Sequence, residues 1–111
     1  MRPLQENDVF HAIAHPARRA ILTALRKGEQ PAGDLAQPFG MSFPAISQHL
    51  KILRDAELVT ERRIGRQRMY QLHPKPLREV WNWVDDFQDY WNARLDALEV
   101  HLDKKHGGSK K

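Results

Sequence analysis

The chain contains no cysteine, and this absence removes several kinds of site at once. A protein without thiols forms no disulfide bond and offers neither a thiolate metal ligand nor a cysteine nucleophile. Long apolar runs are also missing, since no segment approaches the roughly 18 consecutive apolar residues of a membrane span. The N-terminal stretch MRPLQENDVF lacks the apolar core of a signal peptide. These absences predict a cytoplasmic protein that makes no contact with a membrane.

Patterns typical of catalysis are equally scarce. The segment HAIAH places His11 and His15 one helical turn apart, but Ala12 stands where a metalloprotease helix needs a glutamate. The carboxylates of Asp85 and Asp86 point about 100° apart on a helix and have no nucleophile beside them, so a solvated surface explains them better. The chain also lacks a glycine-rich phosphate loop. We therefore expect no enzymatic activity and no cofactor.

Positive charge, by contrast, is in excess. The 111 residues include 18 Lys and Arg against 14 Asp and Glu, which gives a formal charge of +4. This balance favours a polyanionic partner. The length fits one domain, which we assign to residues 1–105. We expect the glycine-rich, basic tail of residues 106–111 to be disordered.

Two helices are predicted in the first quarter of the chain. The segment ENDVFHAIA places Val9, Phe10 and Ile13 on one helical face. The segment HPARRAILTALRKG predicts a second helix, because proline suits the first helical turn and glycine follows the end of the pattern. This interpretation leaves Arg18 and Arg19 near the exposed start of the second helix.

The next two predicted helices have the spacing of a helix-turn-helix unit over residues 31–55. A short helix in PAGDLAQPFGM is followed, after a glycine-containing turn, by Ser42, whose hydroxyl suits an N-cap. The helix that begins there has Ile46, Leu50 and Leu53 on one side, where we expect them to face the core. Its opposite side carries Ser, Gln and Lys, which can hydrogen-bond base edges or neutralise phosphates in a major groove. An ordinary solvated helix face is an equally good interpretation of this helix alone.

A basic β-hairpin is predicted directly after this unit, over residues 58–72, and we call it the wing. Two runs with alternating character flank a short loop that contains Gly65. Four arginines fall within seven positions: Arg62, Arg63, Arg66 and Arg68. They would reach a minor groove or the phosphate backbone. The helix-turn-helix unit and the basic wing together favour DNA binding over a merely solvated surface.

A long helix is predicted over residues 75–105, where apolar residues recur at spacings of three and four. About 30 residues would make a rod of roughly 45 Å, which is longer than a small domain covers alone. The aromatic residues of this segment favour a dimer core over a ligand pocket. Trp83 lies off the main seam and could either pack on the first helix or line a small-molecule site at the interface. We expect a homodimer with these interface residues: Val9, Phe10, Ile13, Val80, Val84, Phe87, Trp91, Leu95 and Leu98.

Three segments, HPARRAILTAL, GDLAQPFGMSFPAISQHLKILRDAELV and RRIGRQRMYQL, resemble the ArsR-type winged-helix repressors in order and spacing. The resemblance covers residues 9–72, and SQHLKILRDAELV is its most specific part. It implies a mainly α fold with a small β-hairpin, that is, a winged helix-turn-helix with a long C-terminal dimerisation helix. It also implies a homodimeric bacterial repressor that binds an inverted repeat in double-stranded DNA.

The resemblance also implies a set of DNA-binding residues: Ser42, Phe43, Pro44, Ser47, Gln48, His49, Lys51, Arg63, Arg66, Gln67 and Arg68. Within this set, Ser47 and Gln48 would contact bases, whereas Lys51 and the wing arginines would contact the backbone. His49 belongs to the same signature, but the helical wheel places it midway along the apolar arc. A structural role for this histidine therefore stays open.

The metal-sensing members of this family have ligands that the present chain lacks. One type of site needs a Cys-x-Cys pair at the start of the third helix, where this chain reads EQPAGDL. Another type needs four ligands on the last helix, of which His101 remains, while Gln88, Tyr90 and Lys104 stand at the other positions. We therefore expect no metal site.

Two other functions fit the same basic surface. One is non-specific architectural DNA binding, and the other is an interaction with an acidic protein partner. The release signal, whether a small molecule or a protein effector, is not indicated by the sequence.

Overall fold

The computed structural model describes residues 8–94, which fold into helices and a small antiparallel sheet. The helices are α1 (Val9–Ile13), α2 (Pro16–Leu25), α3 (Ala32–Ala36), α4 (Phe43–Asp55) and α5 (Leu77–Asp85), and a 3-10 turn (Gln37–Phe39) follows α3. The strands are β1 (Gln30–Pro31), β2 (Val59–Ile64) and β3 (Gln67–Leu72), in the sheet order β1-β3-β2. The predicted mainly helical fold with a small β-hairpin is confirmed. The two-residue strand β1 was not predicted, because it is too short to show a period.

The recognition-type helix α4 is positioned by its cap and by its apolar side. The Ser42 hydroxyl accepts a hydrogen bond from the Ala45 N–H at 3.2 Å, which satisfies one of the free donors of the first turn. Ile46, Leu50 and Leu53 are 0%, 2% and 0% exposed, as predicted from their spacing. They join one core with the apolar residues of α2, α3 and the sheet. Burial of this side leaves the opposite side of α4 in solvent.

A tight turn connects α3 to α4. The 3-10 turn ends at Gly40, whose φ of 63° lies in the left-handed region that glycine tolerates best. The Met41 N–H then donates to the Ala36 carbonyl at 3.2 Å. The two helices therefore pack against each other directly.

The wing is a regular antiparallel hairpin. Its register runs from Val59 opposite Leu72 to Ile64 opposite Gln67, so two residues form the loop. Gly65 at the first loop position has a φ of 62°, as a type II′ turn requires. The other edge of β3 pairs with β1, which anchors the base of the wing.

The expectation that Arg18 lies near an exposed helix start is wrong. Arg18 is 6% exposed, and its Nε donates to the Ala12 carbonyl at 2.7 Å. Nη2 donates to the His11 carbonyl at 3.2 Å. Carbonyls at a helix end have no partner within the helix, so they can hold a buried guanidinium. Periodicity placed the Cα of Arg18 correctly near the start of α2, but it did not reveal where the long side chain turns.

The predicted dimer residue Val9 belongs to the hydrophobic core of the chain. It is 4% exposed and packs in the cluster formed by the other buried apolar residues. Phe10 and Ile13 pack against the same core but are only half-buried. Of these three residues, only Phe10 and Ile13 retain accessible surface for a partner.

The C-terminal helical pattern is interrupted in the described part of the chain. Helix α5 ends at Asp85, Asp86 and Phe87 form a turn, and residues 88–94 are helical again. The turn tightens because the Phe87 N–H bonds to the Val84 carbonyl at 3.0 Å, three residues back. Within the described residues, the helix predicted over 75–105 is therefore interrupted at Asp86 and Phe87, and its part beyond residue 94 lies outside them. Leu95, Leu98 and the predicted tail of residues 106–111 lie outside the described residues.

The chain divides between Val80 and Trp81 into two compact units. The first carries α1 to α4 and the sheet. Among residues 8–94, no helix is both long and apolar enough to cross a membrane.

Candidate nucleic-acid interface

The outer edge of α4 presents polar groups that have no partner within the described chain. Gln48 is exposed and Ser47 is half-buried, and neither side chain makes a hydrogen bond to another residue of 8–94. Phe43, at the start of the helix, is 71% exposed, and Pro44 beside it is also exposed. An exposed large apolar residue beside unpaired donors and acceptors is typical of a surface that binds a partner.

The wing and α4 border a common groove of about 310 Å³. Side chains from both elements line it together with the start of α3: Pro31, Ala32, Gly33, Phe43, Ser47, Arg66, Gln67, Arg68 and Tyr70. Five predicted DNA-binding residues, distant in sequence, therefore meet at one opening: Phe43, Ser47, Arg66, Gln67 and Arg68. The remaining six, which do not line this groove, are Ser42, Pro44, Gln48, His49, Lys51 and Arg63.

Several of the predicted phosphate-binding cations are engaged in ion pairs. Lys51 Nζ lies 2.9 Å from Asp55 Oδ2, one helical turn away. Arg68 Nη1 lies 2.7 Å from Glu61 Oε2. With respect to residues 8–94, by contrast, Arg63 and Arg66 form no ion pair and are exposed. The sequence count of cations therefore overstates how many are free to meet a phosphate.

Glu61 is the anionic centre of the wing. Its Oε1 also accepts from Arg54 Nη1 at 2.8 Å, so one carboxylate joins the end of α4 to β2 and β3. Burial acts to raise the pKa of Glu61, but the hydrogen bond and charge of Arg54 and the charge of Arg68 outweigh it and lower the pKa. Tyr70, opposite Glu61 in the register, has a raised pKa because of burial and of the Glu61 charge. These contacts hold the wing in a defined position beside α4.

A second ion pair joins the wing to the loop before β1. Arg62 Nε and Nη2 donate to the two carboxylate oxygens of Glu29 at 2.7 and 2.9 Å. The hydrogen bond from Arg62 lowers the pKa of Glu29. Such bidentate pairs fix geometry well, although an exposed pair adds little to the free energy of unfolding. The two residues are 33 positions apart, so local spacing could not predict this contact.

His49 faces inward and not towards the groove. Its Nδ1 lies 3.4 Å from Arg18 Nη1, and its ring centroid lies 4.7 Å from that of His15. Burial and the charges of His15 and Arg18 lower the pKa of His49 below its ordinary value. The sequence analysis missed Arg18 as part of this site. The only feature of the sequence that points to Arg18 is its position two residues after Pro16, the proline that begins α2.

Three of the candidate dimer residues in the C-terminal segment are exposed. Val84, Phe87 and Trp91 are 40%, 42% and 46% exposed, and Trp81 and Trp83 are still more accessible. The rings of Trp83 and Phe87 meet edge to face with centroids 5.3 Å apart. Val80 is half-buried against the core. Apolar surface is thus concentrated on a short helical stretch.

Ligands for a metal do not converge in the described part of the chain. Among residues 8–94, no three side chains of the His, Cys, Asp and Glu types lie close enough to hold an ion. Gln88 and Tyr90 occupy two of the expected ligand positions, while His101 and Lys104 lie outside the described residues.

Known proteins share both the sequence and this architecture. The model of the family described as bacterial regulatory protein, arsR family, matches residues 15–61. The transcriptional repressor SdpR of Bacillus subtilis is 43% identical over 81 residues, which are 73% of this chain and 90% of that protein. The regulator Rv2034 of Mycobacterium tuberculosis is 42% identical over 96 residues, covering 86% of this chain and 87% of its own length.

A solved structure extends the similarity to three dimensions. The crystal structure of an ArsR family transcriptional regulator superimposes with a TM-score of 0.70 at 31% identity, over 83% of this chain and 97% of that one. The matched region contains the helix-turn-helix unit that borders the groove. On this sequence and structural similarity, the chain belongs to the bacterial ArsR family and is a DNA-binding transcriptional regulator, not an enzyme.

Proposed function

We propose that this regulator is a cytoplasmic, homodimeric repressor that binds an inverted-repeat operator in double-stranded DNA and needs no metal ion. The observation that supports this most strongly is the groove shared by α4 and the wing, where Ser47 meets Arg66 and Arg68. A helix edge that can enter a major groove and cations that can meet the adjacent backbone thus face the same opening. Repression is supported by the relatives, since SdpR is itself a transcriptional repressor.

Base recognition is assigned to Gln48 and Ser47. The amide of Gln48 is exposed and free of other bonds within residues 8–94, so it can pair with N6 and N7 of adenine. Ser47 lines the groove, where its hydroxyl can bond a base or a phosphate. Arg66 and Arg63, which have no internal ion pair in the described chain, are the first candidates for phosphate contacts.

Arg68 and Lys51 should contribute less to phosphate binding than their charge alone suggests. Each would have to leave a carboxylate partner at 2.7 or 2.9 Å before it met DNA. An exposed pair of this kind is worth up to about 1 kcal/mol, so exchange is feasible but opposes binding. Arg66 should therefore contribute more to DNA affinity than Arg68.

Dimerisation is supported by the apolar surface of the C-terminal segment. Trp81, Trp83 and Trp91 are 64%, 55% and 46% exposed in the single protomer, and aromatic side chains of this size bury well between subunits. A two-fold axis would also bring two α4 helices to successive major grooves, about 34 Å apart. Metal independence is supported by the complete lack of cysteine and by the residues at the alternative ligand positions.

The test of this function is a selection from random DNA duplexes with the purified full chain at about 150 mM salt, where weak phosphate-only binding is suppressed. We expect an inverted repeat with half-sites about one helical turn apart, recovered equally with and without a chelator. A complete lack of sequence preference would favour the architectural alternative. Failure to bind DNA even at low salt would favour the protein-interaction alternative, and loss with chelator would refute metal independence.

Gln48→Ala should cost roughly 1–3 kcal/mol of binding free energy on the selected operator and little on random DNA, because a lost bidentate base contact affects only specific binding. Fluorescence anisotropy on the two duplexes measures both values. Gln37→Ala, at an exposed glutamine outside α4, is the matched control and should change neither. An equal loss on both duplexes would show that Gln48 reads no base.

Arg66→Gln should weaken binding to every duplex and reduce the slope of log affinity against log salt by about 1, because one phosphate contact disappears. Arg68→Gln should have a smaller effect, since Glu61 already holds Arg68 and would keep Arg54 as a partner. Affinities measured over a salt series compare the two variants. Equal slopes for both would mean that Arg68 leaves Glu61 when DNA binds.

Trp91→Glu should shift the protein towards monomer and lower operator affinity, because a charge would have to be buried in the proposed interface. Sedimentation velocity at several protein concentrations measures the dimer fraction. Asn92→Glu adds the same charge at the next residue and is the control. An unchanged dimer fraction for Trp91→Glu would place the interface elsewhere.

A further inference from the structure

A buried arginine connects three helices of the DNA-binding unit. Arg18 extends from the first turn of α2, and two of its nitrogens bond the His11 and Ala12 carbonyls in α1. Its third nitrogen, Nη1, points at His49 Nδ1 on α4 at 3.4 Å. The planar guanidinium holds its donors in a fixed fork, so the two carbonyls determine where the third donor points. We call these contacts the Arg18 network.

This geometry requires one protonation state of His49. A guanidinium is a donor only, so Nδ1 of His49 has to be the acceptor and the ring proton lies on Nε2. The neighbouring His15 is held similarly, because its Nδ1 accepts the Ala17 N–H at 3.1 Å and caps α2. The imidazole of His49 is therefore neutral in the contact observed. A proton on Nδ1 of His49 would place two donors, both positively charged, against each other.

The position of His49 in α4 makes this contact relevant to DNA. Ile46, Leu50 and Leu53 determine which side of α4 is buried, but the hydrophobic effect that buries them is not directional and imposes no hydrogen-bond geometry. The hydrogen bond to His49 does have a direction, and the next residue back along the chain is Gln48. A rotation of α4 about its axis would move the groove-facing edge with it.

We propose that Arg18 and His49 are positioning residues for DNA recognition: Arg18 holds the neutral imidazole, this fixes the orientation of α4, and protonation of His49 releases DNA. This inference rests on the DNA-binding function proposed above. It assigns to His49 a role through Arg18 and α4, in place of the direct DNA contact that the family resemblance implies.

The charges around His49 oppose its protonation. The elements packed most closely against α4 are α1, α2, α3 and β2. Of the titratable groups on these elements and at their caps, Arg18 in α2 and His15 at the N-cap of α2 act on the imidazole, and both are positive when charged. The remaining groups are exposed or bonded to other residues. His11 and Asp34 are exposed, Asp8 caps α1, and Arg19 donates to the Ile13 carbonyl. Glu61 is paired with Arg54 and Arg68, and Arg62 is paired with Glu29. Arg63 on β2 is also exposed.

The sign of the pH dependence follows from the lowered pKa of His49. Between this lowered value and the ordinary value of about 6.5, the folded state binds fewer protons than the unfolded chain. The contribution of His49 to stability is therefore complete above about pH 6.5 and falls as the pH decreases through that range. DNA affinity should fall on the same side, because the operator-bound state needs the neutral ring.

A direct phosphate contact would give the opposite sign. A protonated imidazole beside a phosphate gains affinity, so DNA binding would then strengthen as the pH falls. The direction of the pH dependence thus separates a positioning histidine from a phosphate-binding one.

The first experiment measures affinity for the selected operator between pH 8 and pH 5 with wild type and His49→Gln. The glutamine amide can accept the Arg18 hydrogen bond and cannot be protonated. We expect wild-type affinity to fall on acidification by at most about a hundredfold per pH unit, because the proposed dimer would take up one proton at each of its two His49 residues. We expect the variant to lose this decrease. His11→Gln removes an exposed histidine and should retain the wild-type profile.

Identical profiles for wild type and His49→Gln would overturn the proposal, as would a wild-type affinity that rises in acid. If the variant fails to fold, an NMR titration of His49 in the wild type decides the matter. The pKa of His49 should be lower in the operator complex than in the free protein, and a higher value in the complex would overturn the proposal. Absence of any operator binding at pH 8 would instead refute the proposed DNA-binding function itself.

Arg18→Lys tests the other partner of the network. A lysine cannot present three donors in a fixed fork, so operator affinity should fall by at least about tenfold, the equivalent of losing a hydrogen bond to a charged group. Arg19→Lys is the matched control, because Arg19 also bonds a carbonyl of α1, at 2.7 Å from Ile13, but has no bond to α4. Equal affinities for the two variants, both shown to be folded by thermal unfolding, would remove Arg18 from the positioning role.

Discussion

Burial of one side of α4 is the constraint on which the DNA-binding surface depends. Ile46, Leu50 and Leu53 are almost fully removed from water, and the side chains opposite them are consequently held in solvent. The hydrophobic effect supplies most of the free energy for this arrangement, but it is not directional. The direction comes from polar contacts at two places: the Ser42 cap at the start of the helix and the hydrogen bond between Arg18 and His49.

The wing depends on a different kind of interaction. Glu61 bonds both Arg54 at the end of α4 and Arg68 on β3, so a single carboxylate links the wing to the helix beside it. Arg62 and Glu29 form a similar link to the loop before β1. These carboxylates organise the basic surface and at the same time neutralise part of it. The net positive charge of the chain is therefore a poor guide to the number of phosphate contacts, because geometry determines which cations remain available.

The features that the sequence predicted well are those that depend on local chemistry. The apolar spacing in α4 indicated its buried side, and the glycine between two alternating runs indicated the hairpin loop at Gly65. The C-terminal segment shows where this approach fails. Its apolar spacing continues through Asp86 and Phe87, yet the chain forms a turn there. The turn comes from a tightened backbone hydrogen bond, and the spacing of side chains carries no information about such a bond.

The sequence by itself determined the fold class, the helix-turn-helix unit with the buried apolar side of α4, and the excess of basic residues around the hairpin. The tertiary structure alone decided that Arg18 is buried, that His49 turns towards α2, and which arginines are paired with carboxylates. The physical reason is that helical and strand periods describe the direction in which a Cβ points, whereas long charged side chains choose partners that packing brings near. Arg18 and His49 are 31 residues apart, and Arg62 and Glu29 are 33 apart, so no local spacing contains these contacts.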